Sequence, residues 1–418
     1  MRILAPLRRR SIALVWSALA FSALGDQLNL VALGWVAVDA FGPAAGYLAA
    51  AKAAIILLTA LLSGNLADRL DRRRTMVGAD LVRCVVLMLL VAAWIASGRA
   101  NPWLIAVTIV VLAAGEAFFR PALQTMLPVL AKEKELLVAV NGLLDATERL
   151  GRLIAPALIA VLGALVPTMH FFTLDALSFF VSALAVATLH VPDDRRPALP
   201  VGRVTLVAGL LRGFRATCRE KLLGYLMAVA GPLNGVWYAV FFLAVPLAIS
   251  GYLDRPGTAG LSAYGLTFSC YGVSNVVGNI IVGGRPLPIR PARLIFAGDL
   301  LIGAGIALMA FACMAALPAG WRLPAFVAAA GIAGFGGPLK DVPVATLRQL
   351  LVPPVDMAAA MRAYLIVGSA GLLVAMALAP MACAKFGSIT VMLLAASLYV
   401  GVALVGWWRF RTSDASKI

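Results

Sequence analysis

Charged residues are scarce in this chain of 418 residues: Asp, Glu, Lys and Arg make up 13% of it, whereas apolar residues make up 62%. Long apolar stretches recur along the chain, and a helix that crosses a bilayer needs about 20 apolar residues. The stretches lack the alternation of apolar and polar residues that is typical of barrel strands. Because hydrocarbon offers backbone groups no hydrogen-bond partner, we expect each stretch to be a helix. The sequence therefore predicts an all-α polytopic membrane protein.

Histidine and cysteine are also rare. The chain has two His and five Cys, and the Cys residues show no paired spacing, which argues against a disulfide framework and against a metal site. The sequence has no recognisable pairing of a nucleophile with a base, and it has no Gly-rich phosphate loop that would bind ATP. We therefore expect no enzymatic activity, no metal and no organic cofactor. A membrane-embedded enzyme is only a distant alternative.

Acidic residues are outnumbered, with 19 Asp and Glu against 35 Lys and Arg and a net charge of +16. In a soluble protein this excess would suggest a nucleic-acid partner. Here the basic residues cluster at the two ends and in alternate loops, whereas the intervening loops hold at most one each: Arg99, Arg255, Arg322 and Lys385. Cytoplasmic loops of membrane proteins carry the excess of Lys and Arg. The pattern predicts that both termini are cytoplasmic, and that the partner is the lipid bilayer and not nucleic acid.

Apolar stretches bounded by turn signals predict twelve membrane spans. The predicted spans are 12–38, 44–66, 75–97, 102–126, 142–166, 168–190, 223–250, 261–284, 294–317, 324–348, 356–382 and 388–409. Most connections between them are short. The exception is a polar stretch that divides the chain into a bundle of six helices over 1–190, a cytoplasmic linker over 191–221 and a second bundle over 222–418.

The linker has the pattern of an amphipathic helix that lies on the cytoplasmic membrane surface. Its apolar face would hold Val207, Leu210, Leu211 and Phe214, and its basic face Arg212, Arg215 and Arg219. The two bundles also resemble each other in sequence: "RRTMVGADL" at 73–81 matches "ARLIFAGDL" at 292–300, which aligns Asp80 with Asp299. Parallel six-helix repeats of this kind place a substrate site between the halves, near the middle of the membrane.

The loop after span 2, "GNLADRLDRRR" at 64–74, resembles the signature of the major facilitator superfamily in the corresponding loop. The residues that carry this gating motif are Gly64, Asp68, Arg69, Asp71, Arg72 and Arg73. Asp71 stands where the family usually has Gly, a variant associated with the drug:proton antiporter branch that includes macrolide efflux proteins and the enterobactin exporter. The resemblance implies a conformational latch at this loop. The alternative is that its basic cluster only fixes the orientation in the membrane.

Two further stretches resemble that branch: "GEAFFRPALQTMLP" at 115–128, and "GRLIAP" at 151–156, which is similar to the antiporter motif of span 5. Gly151 and Pro156 match that motif, whereas Ala155 stands where a Gly is expected. The resemblance implies a monomer in the bacterial inner membrane that exports a small organic molecule, a siderophore or drug-like compound, by proton antiport, with the proton gradient as energy source. A same-fold importer and a lysophospholipid flippase remain alternatives.

Ionisable residues inside a membrane span are costly, so each needs a partner or a function. The candidates for proton coupling or for the substrate cavity are Asp26, Asn29, Lys52, Glu116, Arg120, Lys340, Asp341 and Arg362. Asp26, with Asn29 nearby in span 1, is the first candidate for the coupling carboxylate, followed by Glu116 and Asp341. A purely structural role in helix packing is the alternative for each of them.

The spacing of these charges predicts several contacts. Glu116 and Arg120 lie four residues apart and share a helix face, which favours an ion pair. Lys340 and Asp341 are adjacent, so they point about 100° apart and are expected to pair with different helices. Asp80 and Arg83 are interpreted as a solvated or interfacial ion pair. Lys52 can attract an acidic substrate or extend to the membrane surface, and Arg362 is a possible partner of the latch loop.

Aromatic residues in the spans can form the wall of an amphipathic cavity, although each can also be ordinary packing. The candidates are Trp35, Phe118, Phe119, Trp237, Tyr238 and Tyr271.

Overall fold

The computed structural model describes Leu7 and residues 10–66, 71–130, 134–163, 165–189, 206–283, 290–314 and 317–410. The described residues form helices and contain no strand. The helices are α1 (Arg10–Phe41), α2 (Ala45–Leu66), α3 (Arg72–Ser97), α4 (Pro102–Leu130), α5 (Lys134–Leu162), α6 (Met169–Ala187), α7 (Leu206–Cys218), α8 (Lys221–Ala239), α9 (Val245–Gly251), α10 (Gly257–Gly283), α11 (Pro291–Ala312), α12 (Ala319–Leu351) and α13 (Pro354–Phe410).

Nine stretches of the described residues are long and apolar enough to cross a membrane. Two of them contain two spans each: Ile12–Leu58 holds α1 and most of α2, and Val355–Phe410 is interrupted at Gly387. Counting these two twice gives eleven, and the shorter apolar helix Leu150–Leu162 in α5 is consistent with a twelfth. The predicted all-α membrane fold is confirmed, and the helices agree with the twelve predicted spans.

Helix α5 begins earlier than predicted, at Lys134 instead of near residue 142. Apolar content locates only the part of a helix that lies in hydrocarbon, whereas backbone hydrogen bonds can continue into the polar turns before it. Helix α5 is therefore longer at its beginning than its apolar part, Leu150–Leu162.

The described helices form two compact units. The first contains α1, α2 from Ala54 onward, and α3 to α6; the second contains α2 up to Ala53 and α7 to α13. The predicted domain boundaries at 190 and 221 stay predictions.

In the first unit, α6 packs against α1 and α3, while α4 packs on α3 and α5 on α1. One apolar cluster joins α1, α3, α4 and α6 through Val15, Met76, Phe119, Met126 and Val186. Each of these side chains is at most 8% exposed. Because lipid is as apolar as these side chains, their contribution is close packing between helices, which also fixes where the polar residues on the same helices meet.

In the second unit, glycines bring helices close together. A Cβ built at Gly371 of α13 would overlap the backbone of Gly231 in α8, and one at Gly298 of α11 would lie 2.6 Å from the carbonyl oxygen of Gly336 in α12. Small residues allow membrane helices to approach in this way. The backbones of these helices therefore come close enough for short side chains on them to interact.

Two interruptions of regular helix lie in the second unit. A π-helical segment, Val240–Ala244, separates α8 from α9, and Gly387 in α13 has φ of +80°, which breaks the helix there. A positive φ is readily adopted by glycine. The π-helical segment adds a residue to its turn and changes which side chains face one another, and such segments occur often at functional sites.

Helix α7 confirms that the linker contains a helix, but the residues that it buries differ from the predicted apolar face. Leu211, predicted on the apolar face, is 48% exposed, whereas Gly213, Ala216 and Thr217 are buried. Gly213 approaches the backbone of α13 too closely for a Cβ at that position. The helix therefore packs partly on protein, through its small residues, and not only on a membrane surface.

Candidate functional site

A polar contact joins α1 and α6 in the middle of the first unit. Asn29 Nδ2 donates to Asp175 Oδ2 at 2.6 Å, and Ser178 Oγ lies 3.2 Å from Asp175 Oδ1. Gly25 makes the approach possible, because a Cβ there would be 2.6 Å from both Asp175 Oδ1 and Ser178 Oγ. Asp26, the next residue, has an exposed side chain. The predicted pair of Asp26 and Asn29 thus lies beside a third polar group that comes from α6.

Asp80 and Arg83 of α3 form an ion pair. Asp80 is fully buried and Arg83 is 4% exposed, so the pair is not solvated, whereas its position at the membrane interface stays a prediction. The Arg83 guanidinium lies 4.9 Å from the ring centre of Phe119 in α4 and 4.3 Å from that of Phe179 in α6, within the range of cation–π contacts. This part of α3 faces neighbouring helices, which periodicity within α3 alone does not show.

The predicted ion pair on α4 is present, with Arg120 Nε 2.9 Å from Glu116 Oε1. A third charge that was not predicted comes from α5: Glu148 Oε1 lies 3.7 Å from Arg120 Nη1. All three side chains are accessible, Arg120 to 59%. Exposed ion pairs stabilise a fold only weakly, so an accessible group of three charges remains available to exchange partners.

The two residues of the span 5 motif are buried in α5. A Cβ at Gly151 would lie 3.3 Å from the carbonyl oxygen of Ala23 and 3.5 Å from Cγ of Gln27, both in α1. Pro156 lies inside the helix, where it removes a backbone donor. Gly151 therefore brings α5 against the same turn of α1 that carries Asp26.

Asp71 caps the beginning of α3. Its Oδ1 accepts from the backbone N–H of Arg74 at 2.8 Å, and its carbonyl oxygen accepts from the hydroxyl of Thr75 at 2.8 Å. Asp is a favoured N-cap residue, which gives a physical reason for Asp where the family usually has Gly. Arg73 donates to the carbonyl oxygen of Ala187 at the end of α6, and Arg72 is half-buried.

The other three residues of the gating motif are Gly64, Asp68 and Arg69. Asp68 and Arg69 lie outside the described residues, and Gly64 lies in the last turn of α2. The latch role of this loop stays a prediction.

In the second unit, Lys340 of α12 reaches Asp299 of α11, with Nζ 3.0 Å from Oδ1. Asp299 is fully buried, and the Lys340 ammonium also lies 5.6 Å from the ring centre of Tyr399 in α13. Asp341 is exposed, so the two adjacent charges do point to different surroundings. Asp299 aligns with Asp80 in the sequence repeat, and both are buried acids that have a cationic partner.

An aromatic group follows α8 into the π-helical segment. Trp237 Nε1 donates to the hydroxyl of Tyr271 in α10 at 3.1 Å, and the rings of Trp237 and Phe241 stack with centres 4.9 Å apart. Tyr238 and Phe242 stack at 5.2 Å. Trp237, Tyr238 and Tyr271 are half-buried, so the group combines aromatic surface with accessibility.

The other candidate residues are scattered. Trp35 and Phe119 are buried, with exposed fractions of 4% and 8%, whereas Phe118 is 41% exposed. Lys52 is half-buried in the part of α2 that belongs to the second unit, and Arg362 is exposed on α13. The structure thus joins Asn29 to Asp175 beside the turn that carries Asp26, and groups Trp237 with Tyr238 and Tyr271 in the other unit.

Asp175 was missed by the sequence analysis, and Asp299 was noticed only through the repeat. A single acid in an otherwise apolar span is the available signal for both: Asp175 stands within "HFFTLDALSFF" (170–180). An intramembrane charge is a candidate functional group. This rule would have identified both residues if it had been applied to every span.

Comparisons with known proteins agree with this architecture. A family model described as Major Facilitator Superfamily matches residues 15–312. The chain is similar to the multidrug efflux pump Tap of Mycobacterium tuberculosis, with 26% identity over 316 residues that cover 73% of this chain and 72% of that protein. It is also similar to macrolide efflux protein A of Streptococcus pyogenes, with 24% identity over 50% of this chain and 53% of the relative.

Solved structures support the fold. A variant of the nucleoside transporter NupG superposes with a TM-score of 0.73 at 14% identity, over 96% of this chain and all of the other. The POT family transporter PepTSo superposes with a TM-score of 0.66 at 13% identity, over 97% and 99% of the two chains. At these identities the likeness establishes a shared fold and nothing more specific.

Proposed function

The chain belongs to the major facilitator superfamily, and from that premise we propose that this transporter exports a drug-like organic molecule in exchange for protons. That it is a multi-pass membrane transporter of small molecules, and not an enzyme, follows from the family and its relatives. The direction, the coupling ion and the substrate class are the proposal. The names of the two efflux relatives support export and a drug-like substrate.

The observation that carries proton coupling is the placement of Asp26. This carboxylate is exposed on α1, while its neighbour Gly25 is packed against α6 and Gly151 of α5 packs one turn away. A carboxylate on the accessible side of helices that pack this tightly can bind a proton in one conformation and release it in another. In alternating access, one repeat moves relative to the other, so such a group can meet each side of the membrane in turn.

The remaining candidates receive roles from their surroundings. Glu116, Arg120 and Glu148 form an accessible charge group that can contact a polar substrate. The half-buried aromatic group around Trp237 and Tyr271 offers rings on which an apolar or aromatic part of a substrate can stack. We place the protein in the bacterial inner membrane as a monomer with both termini cytoplasmic, without a cofactor.

The test measures uptake of a radiolabelled macrolide into everted membrane vesicles, in which export becomes inward transport. With an acidic interior we expect accumulation by the wild type, and the Asp26→Asn variant should fall to the level measured without a gradient. Asp39→Asn on the same helix is the matched control, because Asp39 is also exposed and has no role in the proposal. Unchanged gradient-driven accumulation in Asp26→Asn would exclude Asp26 as the coupling group.

Transport assays in vesicles of both orientations separate the alternatives. A labelled catecholate siderophore in place of the macrolide tests the substrate class that the resemblance also implies. Accumulation in right-side-out vesicles would indicate an importer, and movement of a fluorescent lysophospholipid between leaflets would indicate a flippase. Either of these results, without macrolide accumulation, would contradict the proposal.

A further inference from the structure

Asp175 is a buried carboxyl group with no role in the proposed function as stated. It lies in α6, is 0% exposed, and contacts Asn29 across the α1–α6 interface. Its position behind Gly25 places it next to the turn that carries Asp26, but on the protein side of that turn. A buried ionised carboxylate is costly unless a cation or several donors neutralise it.

The hydrogen bonds around Asp175 suit a protonated carboxyl group. Ser178 Oγ lies 2.8 Å from the backbone carbonyl oxygen of Asp175 and 3.2 Å from Asp175 Oδ1. A serine hydroxyl has a single hydrogen, and the shorter contact assigns it to the backbone carbonyl. The lone pairs of Ser178 Oγ then face Oδ1 and can accept a hydrogen bond from the O–H of a protonated Asp175. Asn29 Nδ2 donates to the other oxygen, Oδ2, at 2.6 Å, so both carboxyl oxygens have a partner when Asp175 is neutral.

In the part of the chain that the structure describes, the cation that acts on Asp175 is Arg83, and its guanidinium is already paired with Asp80. From α3 it is faced by Arg83 and Cys84. From α1 it is faced by Asp26. Two carboxylates that influence each other cannot both ionise easily, so the charge state of one depends on the other.

We propose that Asp175 is a second proton-binding group of the transport cycle, placed inside the helix packing behind Asp26. Proton uptake forms an O–H bond at Oδ1 that donates to Ser178. Release breaks that bond and gives the proton to water or to the Asp26 carboxylate, with no exchange of electrons. The inference rests on the proposed proton antiport for its role in transport, whereas the binding of a proton at Asp175 can be tested without it.

The first test is a pH titration of the purified protein by infrared difference spectroscopy, which detects the C=O stretch of a protonated carboxyl group. We expect a titrating band in the wild type that persists in Asp26→Asn and is absent in Asp175→Asn. Ser178→Ala should shift the frequency of that band, because it removes the acceptor. Thr173→Val on the same helix is the matched control, because the Thr173 hydroxyl donates to the backbone carbonyl of Met169, and it should leave the frequency unchanged. A titration spectrum of Asp175→Asn identical to that of the wild type would overturn the proposal.

The second test compares transport modes in vesicles. Asp175→Asn keeps the size and the hydrogen-bonding capacity of the side chain but cannot release a proton. We expect it to retain exchange of labelled for unlabelled substrate without a gradient and to lose accumulation driven by a proton gradient. Accumulation equal to that of the wild type would remove Asp175 from the coupling mechanism. If the wild type itself shows no proton-driven accumulation, the proposed antiport is wrong, while the infrared band decides the proton site separately.

Discussion

Two buried acids at equivalent positions of the repeat obtain their cations in different ways. Asp80 pairs with Arg83 of its own helix, three residues further on. Asp299 pairs with Lys340 of a different helix, α12, at 3.0 Å. The first pair can form as soon as α3 is helical, whereas the second requires α11 and α12 to be packed together. Lys340 and Asp299 are therefore a tertiary contact whose contribution to stability can be measured.

We predict that Lys340→Met destabilises the second unit, because it leaves Asp299 buried without its cation. Removing one partner of a buried ion pair costs about 3–5 kcal/mol, whereas replacing both by apolar residues is often neutral. The double variant Asp299→Leu with Lys340→Met should therefore recover most of the loss. The measurement is the thermal unfolding midpoint of the purified protein in detergent. Equal destabilisation of the single and double variants would mean that packing volume, and not the uncompensated charge, sets the effect.

At the scale of helices, glycines set the separation of α8 and α13. Gly231 and Gly235 of α8 both face Gly371 of α13, and a Cβ at Gly371 would overlap backbone atoms of Gly231. Backbone atoms cannot rotate away as the end of a flexible side chain can. A single methyl group at this contact must therefore separate the two helices along their length.

We predict that Gly371→Ala lowers the thermal stability of the protein, whereas Gly401→Ala in the same helix does not. Among the described residues, no atom outside the adjacent turns of α13 itself lies within 4 Å of the Cβ position at Gly401, and Ala is favoured over Gly inside a helix by about 0.5–1 kcal/mol. The measurement is size-exclusion chromatography of the fluorescently tagged protein after heating. A midpoint for Gly371→Ala at or above that of Gly401→Ala would contradict the close approach of α8 and α13.

The sequence predicts helices much better than it predicts contacts between them. Apolar length is a property of one segment, so the spans follow from composition alone, and the Glu116–Arg120 pair follows from spacing within one helix. The contact of Asn29 with Asp175 depends on which faces α1 and α6 turn towards each other, which no single segment determines. Arg83 illustrates the limit, since its partner was predicted correctly and its burial was not.

At the scale of the whole molecule, the distribution of charge predicts orientation. The basic excess lies at the ends, in the loop around Arg72 to Arg74, and in the linker that contains α7. The loops between α3 and α4 and after α9 carry a single basic residue each, Arg99 and Arg255. Lys and Arg in short loops are retained on the cytoplasmic side during insertion. A probe placed in one loop of each kind should therefore report opposite sides of the membrane.

The chain offers a natural probe, because Cys218 at the end of α7 is exposed. The test variant keeps Cys218 and replaces Cys84, Cys270, Cys313 and Cys383 by Ala. We predict that its Cys218 thiol does not react with a membrane-impermeant maleimide in intact cells and reacts fully after permeabilisation. The control is the same variant with two further changes, Cys218→Ser and Arg99→Cys. Arg99 is exposed in a loop predicted to lie outside, so we expect this control to react in intact cells. The reversed pattern would place α7 outside the cell. It would also invert the side on which the Asp26 carboxylate meets the proton gradient, so the orientation has to be known before any vesicle experiment is read as export.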